Sequence, residues 1–383
     1  MAVMKTTLYL THPRELPGLV ESQTTEVIIG IKEFSRRGTL DLRDGLELAK
    51  RAREYKLNVV LEWDALMEEP RFKKLSALLM TLDFKFDAIR VRDAGAVLWV
   101  RDHMQAPIHL LLEAGHHNIM ALKSWSERLG TRLKRIVLSP ELPAKTIKLW
   151  RQELKLEIEV LGLGPLLLFH SPRALLSSLE TAPQADEWIA EGASEESPHK
   201  GFPLFENQHG TLMFHPKDLS ILERYTEIQE AGVDWLRIDH RHETDPATFS
   251  RLIAFLHQPT EANLQFIQDN WSRAWMRGYW DVNKSNVLFD KLTNQHLSER
   301  ATASAEVLEG KKEAWLAVRV MGKGLKVGAE LDVTSPLGKV RRLKLAWLKD
   351  DAFEAVSELT EGQVGFVPWS SGAPSKSQLH LVN

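Results

Sequence analysis

Eight short apolar runs, each ending in polar residues, constrain the fold of this chain more than any other feature. They are Thr7–Leu10, Glu26–Ile31, Leu57–Leu61, Asp87–Val91, Pro107–Leu112, Arg135–Leu138, Ile158–Leu161 and Val233–Ile238. Near-continuous runs of this kind suit strands buried on both faces, as in parallel sheets. Between them, apolar residues recur at helical spacing over Asp44–Tyr55, Glu69–Leu82, Ala94–His103, Ile119–Leu129, Ala144–Leu154, Pro216–Glu230 and Pro246–His257. Only the first connection, Thr11–Thr25, shows no clear helix; it holds Pro13 and Pro17. Repeated βα units predict a parallel α/β architecture, and the count of eight favours a closed (βα)8 TIM-like barrel over an open sheet.

The seventh run leads into the stretch on which the chain turns. Gly162 and Gly164 let the backbone turn sharply or approach another segment closely, Pro165 fixes a turn, and a second apolar run, Leu166–Phe169, delivers His170, Ser171 and Arg173. An insertion follows at about 178–215. Its residues 180–198 carry Glu180, Asp186, Glu187, Glu191, Glu195 and Glu196 without a Lys or Arg, which reads as a solvated loop. The barrel is expected over 1–300. Over 301–383 short alternating strands (Glu313–Val320, Val327–Val333, Lys339–Leu348) predict a small C-terminal β-barrel or sandwich. Residues 311–349 hold ten basic side chains against three acidic ones. That excess fits either a solvated strand face or a contact with an anionic polymer such as RNA.

Composition closes several routes. With no cysteine among 383 residues, disulfides, thiol nucleophiles, thiolate metal sites and cysteine-held iron–sulfur clusters are excluded. Absence of cysteine fits a reducing cytoplasm, and the N-terminus shows no signal-peptide pattern. No apolar run approaches the roughly 20 residues of a membrane helix, so no membrane contact is expected. A net charge of −3 gives no global attraction for nucleic acid. The twelve tryptophans suit core and interface filling or a stacking surface.

Several segments resemble the collagenase-like peptidase family thirty-two of the unknown-mechanism (U) peptidases. They are Gly30-Ile-Lys-Glu-Phe-Ser-Arg36, Asp87-Ala-Ile-Arg-Val-Arg-Asp-Ala-Gly95, Pro107-Ile-His109, Arg135-Ile-Val-Leu-Ser-Pro-Glu-Leu142, His209-Gly-Thr, Pro216-Lys-Asp-Leu219, Gly232-Val-Asp-Trp-Leu-Arg-Ile238 and Arg277-Gly-Tyr279. The resemblance implies a barrel with an appended β domain. It also implies a role among proteins for RNA or quinone hydroxylation, whose members carry an iron–sulfur cluster on four cysteines, or among collagenases. Where the family reads Ser-x-Arg-Cys-Leu, this chain has Ser171-Pro-Arg-Ala-Leu175, so Ala174 stands in place of a cluster ligand.

In a (βα)8 barrel the C-terminal strand ends form the site. Glu113, Glu141, Asp239 and His170 are the candidate catalytic residues, and Lys32, Arg173, Arg241 and Glu62 the candidate substrate-binding ones. Arginine suits a carboxylate or phosphate through its planar fork, and ion pairing with Glu33, Glu141 and Asp239 would explain the same cations. His116, His117 and His240 are candidate ligands for a divalent metal, with surface histidines and a helix cap as the plain alternative. His109, inside a strand, reads as a barrel-layer histidine. Adjacent His170 and Ser171 would point to opposite strand faces, which argues against a serine nucleophile. The expected ligand is therefore a small anionic organic substrate, or a peptide or RNA end, bound or turned over at the mouth. Two alternatives stand beside it: an inactive partner subunit of a cysteine-bearing relative, and a metal-dependent peptide hydrolase.

Overall fold

In the computed structural model the strands close into a barrel. The structure describes residues 4–113, 116–179, 187–193, 200–243, 245–281, 303–336 and 339–382. Contacts divide the chain into two units, Met1–Val282 and Asn283–Asn383. In the first unit the strands are β1 (Lys5–Tyr9), β2 (Glu26–Ile29), β3 (Asn58–Trp63), β4 (Ala88–Val91), β5 (Ile108–Leu111), β6 (Leu133–Val137), β7 (Glu157–Ser171), β8 (Trp188–Ala193), β9 (Lys200–Asn207), β10 (Gly210–Ser220) and β11 (Trp235–Ile238). Strands β1 to β7 pair in parallel in sequence order; β11 pairs in parallel with both β7 and β1 and closes the cylinder. The helices are α1 (Leu16–Glu21), α2 (Leu42–Glu54), α3 (Glu69–Thr81), α4 (Ala94–His103), α5 (Ile119–Leu129), α6 (Ala144–Glu153), α7 (Tyr225–Glu230), α8 (Pro246–His257) and α9 (Glu261–Asn270).

Alternation along each strand sorts the side chains. One set, including Val27, Ile29, Val59, Leu61, Ile89, Val91, Ile136, Leu138, Leu236 and Ile238, joins the helices in the main apolar core. The other set points inward and is largely charged. Arg90 on β4 reaches Glu159 on β7 at 2.5 and 2.6 Å, and Arg135 on β6 reaches Glu26 on β2 at 2.6 and 2.8 Å. These bonds join strands that are not neighbours, so they cross the barrel interior. A second bond from Arg135 to Glu159 spans 3.1 Å, and the Arg135 guanidinium lies 3.6 Å from the centre of the Trp235 ring. His109 is buried in this layer. Burial, then Arg135 and Arg90, push its pKa well below the ordinary histidine value, so it is neutral.

The structure corrects three local expectations. First, the connection after β1 does hold a helix, α1, entered through a 3-10 turn at Pro13–Glu15; proline near a helix start loses no needed N–H. Second, residues 216–220 are strand, not helix. Strand β10 pairs antiparallel with β7, and Pro216 falls within the register shift between Phe214 and Asp218, where no ladder donor is required. The helix in this region is confined to α7. Third, β7 does not turn at its glycines but continues past the rim as one strand of fifteen residues. Gly164 has φ +142°, and a Cβ there would lie 2.8 Å from Asp239; one at Gly162 would lie 2.5 Å from Leu236. Both glycines serve close approach of β7 to β11.

Much of the expected insertion loop is therefore sheet. β7, β10, β9 and β8 form an antiparallel flap rising from the barrel rim. Of the acidic run, Glu187 and Glu191 are described, whereas Glu180, Asp186, Glu195 and Glu196 lie outside the described residues.

The second unit is an antiparallel half-barrel built on an eight-stranded sheet. Its core includes Val307, Leu316, Val318, Leu331, Val333, Leu348, Val367 and Leu379. The basic excess of residues 311–349 is offset by Asp350, Asp351, Glu354, Glu358 and Glu361. Over 303–382 eleven basic side chains meet ten acidic ones, a net of +1. Among the described residues no helix is long and apolar enough to cross a membrane.

Candidate functional site at the barrel mouth

Above the charged layer, at the C-terminal strand ends, lies a cavity of about 60 Å³. Its lining includes Tyr9, Arg36, Arg37, Glu62, Asp64, Arg92, Glu113, Arg237, Asp239 and Arg241, with Leu167, Leu212 and Phe214 contributed by the flap. Each strand end supplies its part. Tyr9 ends β1, Arg36 and Arg37 follow β2, and Glu62 and Asp64 lie at the end of β3. Arg92 follows β4, Glu113 follows β5, and Arg237, Asp239 and Arg241 come from β11 and its loop.

The flap roofs this cavity because its β9–β10 turn is tied to the loop after β2. Asn207 Nδ2 donates to the Arg36 carbonyl at 3.0 Å and Gln208 Nε2 to the Lys32 carbonyl at 2.8 Å. His209 Nε2 donates to the same Lys32 carbonyl at 2.6 Å, while Arg71 Nη2 donates to its Nδ1 at 2.9 Å. That pair of partners fixes the neutral tautomer with the proton on Nε2. Burial above all lowers the His209 pKa to about 4.

Most charges at the mouth are matched. Arg36 binds Asp64 through Nε at 2.8 Å and Nη2 at 2.7 Å. Arg241 holds Asp239 at 2.8 and 2.7 Å while stacking 3.6 Å from the centre of the Tyr9 ring, and Arg37 reaches Asp239 at 2.6 Å. Arg237 donates to Glu113. Burial alone would raise these carboxyls. For Asp239 the effect is outweighed by Arg241 and Arg37, for Glu113 by Arg237 and Arg36, and for Asp64, held at about 2, by Arg36.

Glu62 differs. Its pKa is raised, first by burial and then by Asp64, and it accepts from Tyr9 Oη at 2.5 Å and Ser35 Oγ at 2.6 Å. Within this cavity it is the carboxyl best suited to hold a proton, whereas Glu113 and Asp239 are fixed as ionised partners of arginine.

The residues singled out from sequence divide cleanly. Glu62, Glu113, Asp239 and Arg241 share the cavity lining. His170 sits on the flap strand with Nε2 3.1 Å from the His209 carbonyl. Lys32 turns outward to Asp41 at 3.0 Å, and Arg173 is exposed beyond the end of β7. Glu141 faces His117 at 3.9 Å, and His116 packs by Trp125. His240 is buried against Phe249 and lies 3.8 Å from Glu15. The three histidines therefore have separate surroundings, and among the described residues no group of three His, Asp or Glu side chains could hold a metal ion.

Tyr9, Arg36, Arg37 and Arg237 escaped the sequence reading, as did the deeper layer of Glu26, Arg90, Arg135 and Glu159. A usable signal was present: a single charge inside an otherwise apolar parallel strand, as in Ala88-Ile-Arg-Val91 or Trp235-Leu-Arg-Ile238, must face either lipid-like core or a lined interior.

An iron–sulfur cluster does not fit the residues present. Ala174 offers no ligand atom, and the amides of Leu175, Leu176 and Ser177 donate to the Glu206 carboxylate at 2.6, 2.7 and 2.8 Å.

Fold and mouth together define a closed (βα)8 barrel with an ionised rim and an antiparallel flap. The chain belongs to peptidase family U32, whose model matches residues 12–269. It is 27% identical over 204 residues to tRNA hydroxylation protein P of Escherichia coli strain K12, covering 40% of this chain and 44% of that protein. The corresponding figures for tRNA hydroxylation protein P2 of Bacillus subtilis strain 168 are 23% identity, 60% and 77%. The chain thus spans less than half the length of the Escherichia coli relative. Among solved structures, the U32 peptidase Mk0906 aligns with 62% of this chain and 93% of its own, at 12% identity and a TM-score of 0.38.

Proposed function

We propose that this chain serves RNA modification as a cluster-less U32 protein whose barrel mouth binds a small anionic substrate or an RNA end. The supporting observation is the cavity itself: five arginines and four acidic side chains converge at the strand ends, and one of the four, Glu62, accepts a hydrogen bond from Tyr9 and has a raised pKa. The relatives named for tRNA hydroxylation support the RNA context. The chemistry available to these residues is binding of an oxyanion by guanidinium groups and proton exchange at Glu62 Oε1, next to Tyr9 Oη. The direct test is nucleoside mass spectrometry of transfer and ribosomal RNA from cells lacking the gene, with and without complementation. The reading expects a modified nucleoside that is lost on deletion and restored by the wild-type chain; unchanged profiles would remove it.

A second reading is favoured by one observation, the lack of any thiolate ligand in the whole chain. On that reading the protein is a partner subunit that holds substrate for a cysteine-bearing relative. Purification from its own cells would then recover the relative in a fixed ratio, and a lone chain that turns over substrate would exclude it.

A further inference from the structure

Within the cavity the guanidinium groups are not equally satisfied. Arg37, Arg237 and Arg241 each have a carboxylate partner. Arg92 has none: among the described residues it makes neither hydrogen bond nor ion pair, and its Nη1 is buried without a partner. Arg36 spends two nitrogens on Asp64, yet its own Nη1 is likewise buried and unpartnered. These two side chains come from different strand ends and line the same cavity. Arg36 and Arg92 also repel each other enough to lower the Arg92 pKa further, after burial. Leaving two buried guanidinium donors of one cavity without partners is costly unless an anion joins them.

We propose that Arg36 and Arg92 form an oxyanion subsite that receives one carboxylate or phosphate group of the ligand. The inference rests on the reading of the mouth as the functional site. Charge agrees with it: five lining arginines outnumber the four lining acidic side chains, one of which is Glu62, so the cavity carries a positive excess for an anion. Size agrees as well, since about 60 Å³ is room for one such group rather than a whole nucleotide. A planar fork with free donors is the geometry that grips two oxygens at once. The carboxylate of an organic acid and a terminal phosphate of RNA share this chemistry.

The test uses the full chain and its Arg92→Gln and Arg92→Lys variants, with exposed Arg173→Gln as control. Each is titrated with inorganic phosphate, with malonate, and with a short oligoribonucleotide bearing or lacking a 5′-phosphate, following calorimetry and thermal unfolding. Wild type and Arg173→Gln are expected to bind one anion and to melt higher in its presence. Arg92→Gln should bind about 10- to 100-fold more weakly, the worth of a charge-assisted contact. Without anion it should melt at or above the wild-type temperature, because an unpaired buried charge is gone. Arg92→Lys keeps the charge and loses the fork, so it should bind with intermediate strength even if Arg92→Gln folds poorly. Response to malonate alone assigns the source as an organic acid; response that requires the 5′-phosphate assigns RNA. No response of wild type to any probe, or full response in both Arg92 variants, overturns the subsite. An anion response that persists while RNA profiles do not depend on the gene would leave the subsite standing and remove the RNA role.

Discussion

Glu159 is the keystone of the barrel interior, and its replacement by glutamine gives a sharp test of how the fold is held. The carboxylate is fully buried and touches three arginines: Arg90 at 2.5 Å, Arg135 at 3.1 Å and Arg237 at 3.4 Å. Burial disfavours its charge, but the three guanidinium groups outweigh that and lower its pKa. Glutamine keeps the shape and removes the charge, leaving the arginines facing one another in a medium that screens poorly. Breaking one buried pair costs about 3–5 kcal/mol, and three shared partners place this change at the upper end. A melting temperature moves by about 2–4 °C per kcal/mol in a domain of this size, so a fall of about 10–15 °C is expected. The assay is urea and thermal unfolding at pH 7, followed by tryptophan fluorescence and circular dichroism. Glu47→Gln is the control, since Glu47 pairs with Arg51 on the exposed face of α2 and should matter by about 0.5 kcal/mol or less. If Glu159→Gln were as mild as Glu47→Gln, the view of the interior as a mutually dependent ion network would be refuted.

Three further outcomes follow from the same geometry. His209 is neutral and lowered to about 4 in the folded chain, so the unfolded chain binds the extra proton; stability should fall by about 3 kcal/mol as pH drops from about 6.5 to 4, and His209→Gln should flatten that slope in denaturant titrations. Asp64, Glu113, Glu159 and Asp239 are lowered, so their stabilisation is present above the unfolded carboxylate pKa and is lost only as pH falls through their folded values; acid unfolding should continue toward about pH 2. Gly164→Ala forces a side chain into a left-handed region 2.8 Å from Asp239; it should destabilise by about 2 kcal/mol or more and weaken anion binding, measured by unfolding and calorimetry.

The barrel was legible because parallel strands covered on both faces leave a strong trace. Runs such as Glu-Val-Ile-Ile and Asn-Val-Val-Leu have few other homes, and α4, α5 and α8 begin and end where their helical spacing does. The flap was not legible. Strand β10 carries His215, Pro216 and Lys217 in its middle, a combination that local propensity assigns elsewhere, and only pairing with β7 makes it a strand. The site was half legible. Glu62, Glu113, Asp239 and Arg241 follow directly from being next to strand ends. Arg173 does not, because β7 continues past the rim and carries it away from the cavity, while Arg36 and Arg37 enter through a loop that folds back over the mouth. Arg90, Arg135 and Glu159 show that a charge in an apolar strand marks a lined interior, a sign present in the letters but read only with the partner strand in view.

The claim on which the account depends is that an ionised mouth without a cluster acts on RNA or on a substrate for its modification. Nucleoside mass spectrometry of RNA from a deletion strain tests it most directly when the strain is complemented in parallel by wild type, by Arg173→Gln and by Arg92→Gln. The account predicts that wild type and Arg173→Gln restore a missing modified nucleoside and that Arg92→Gln does not. Identical RNA in all four strains would contradict it.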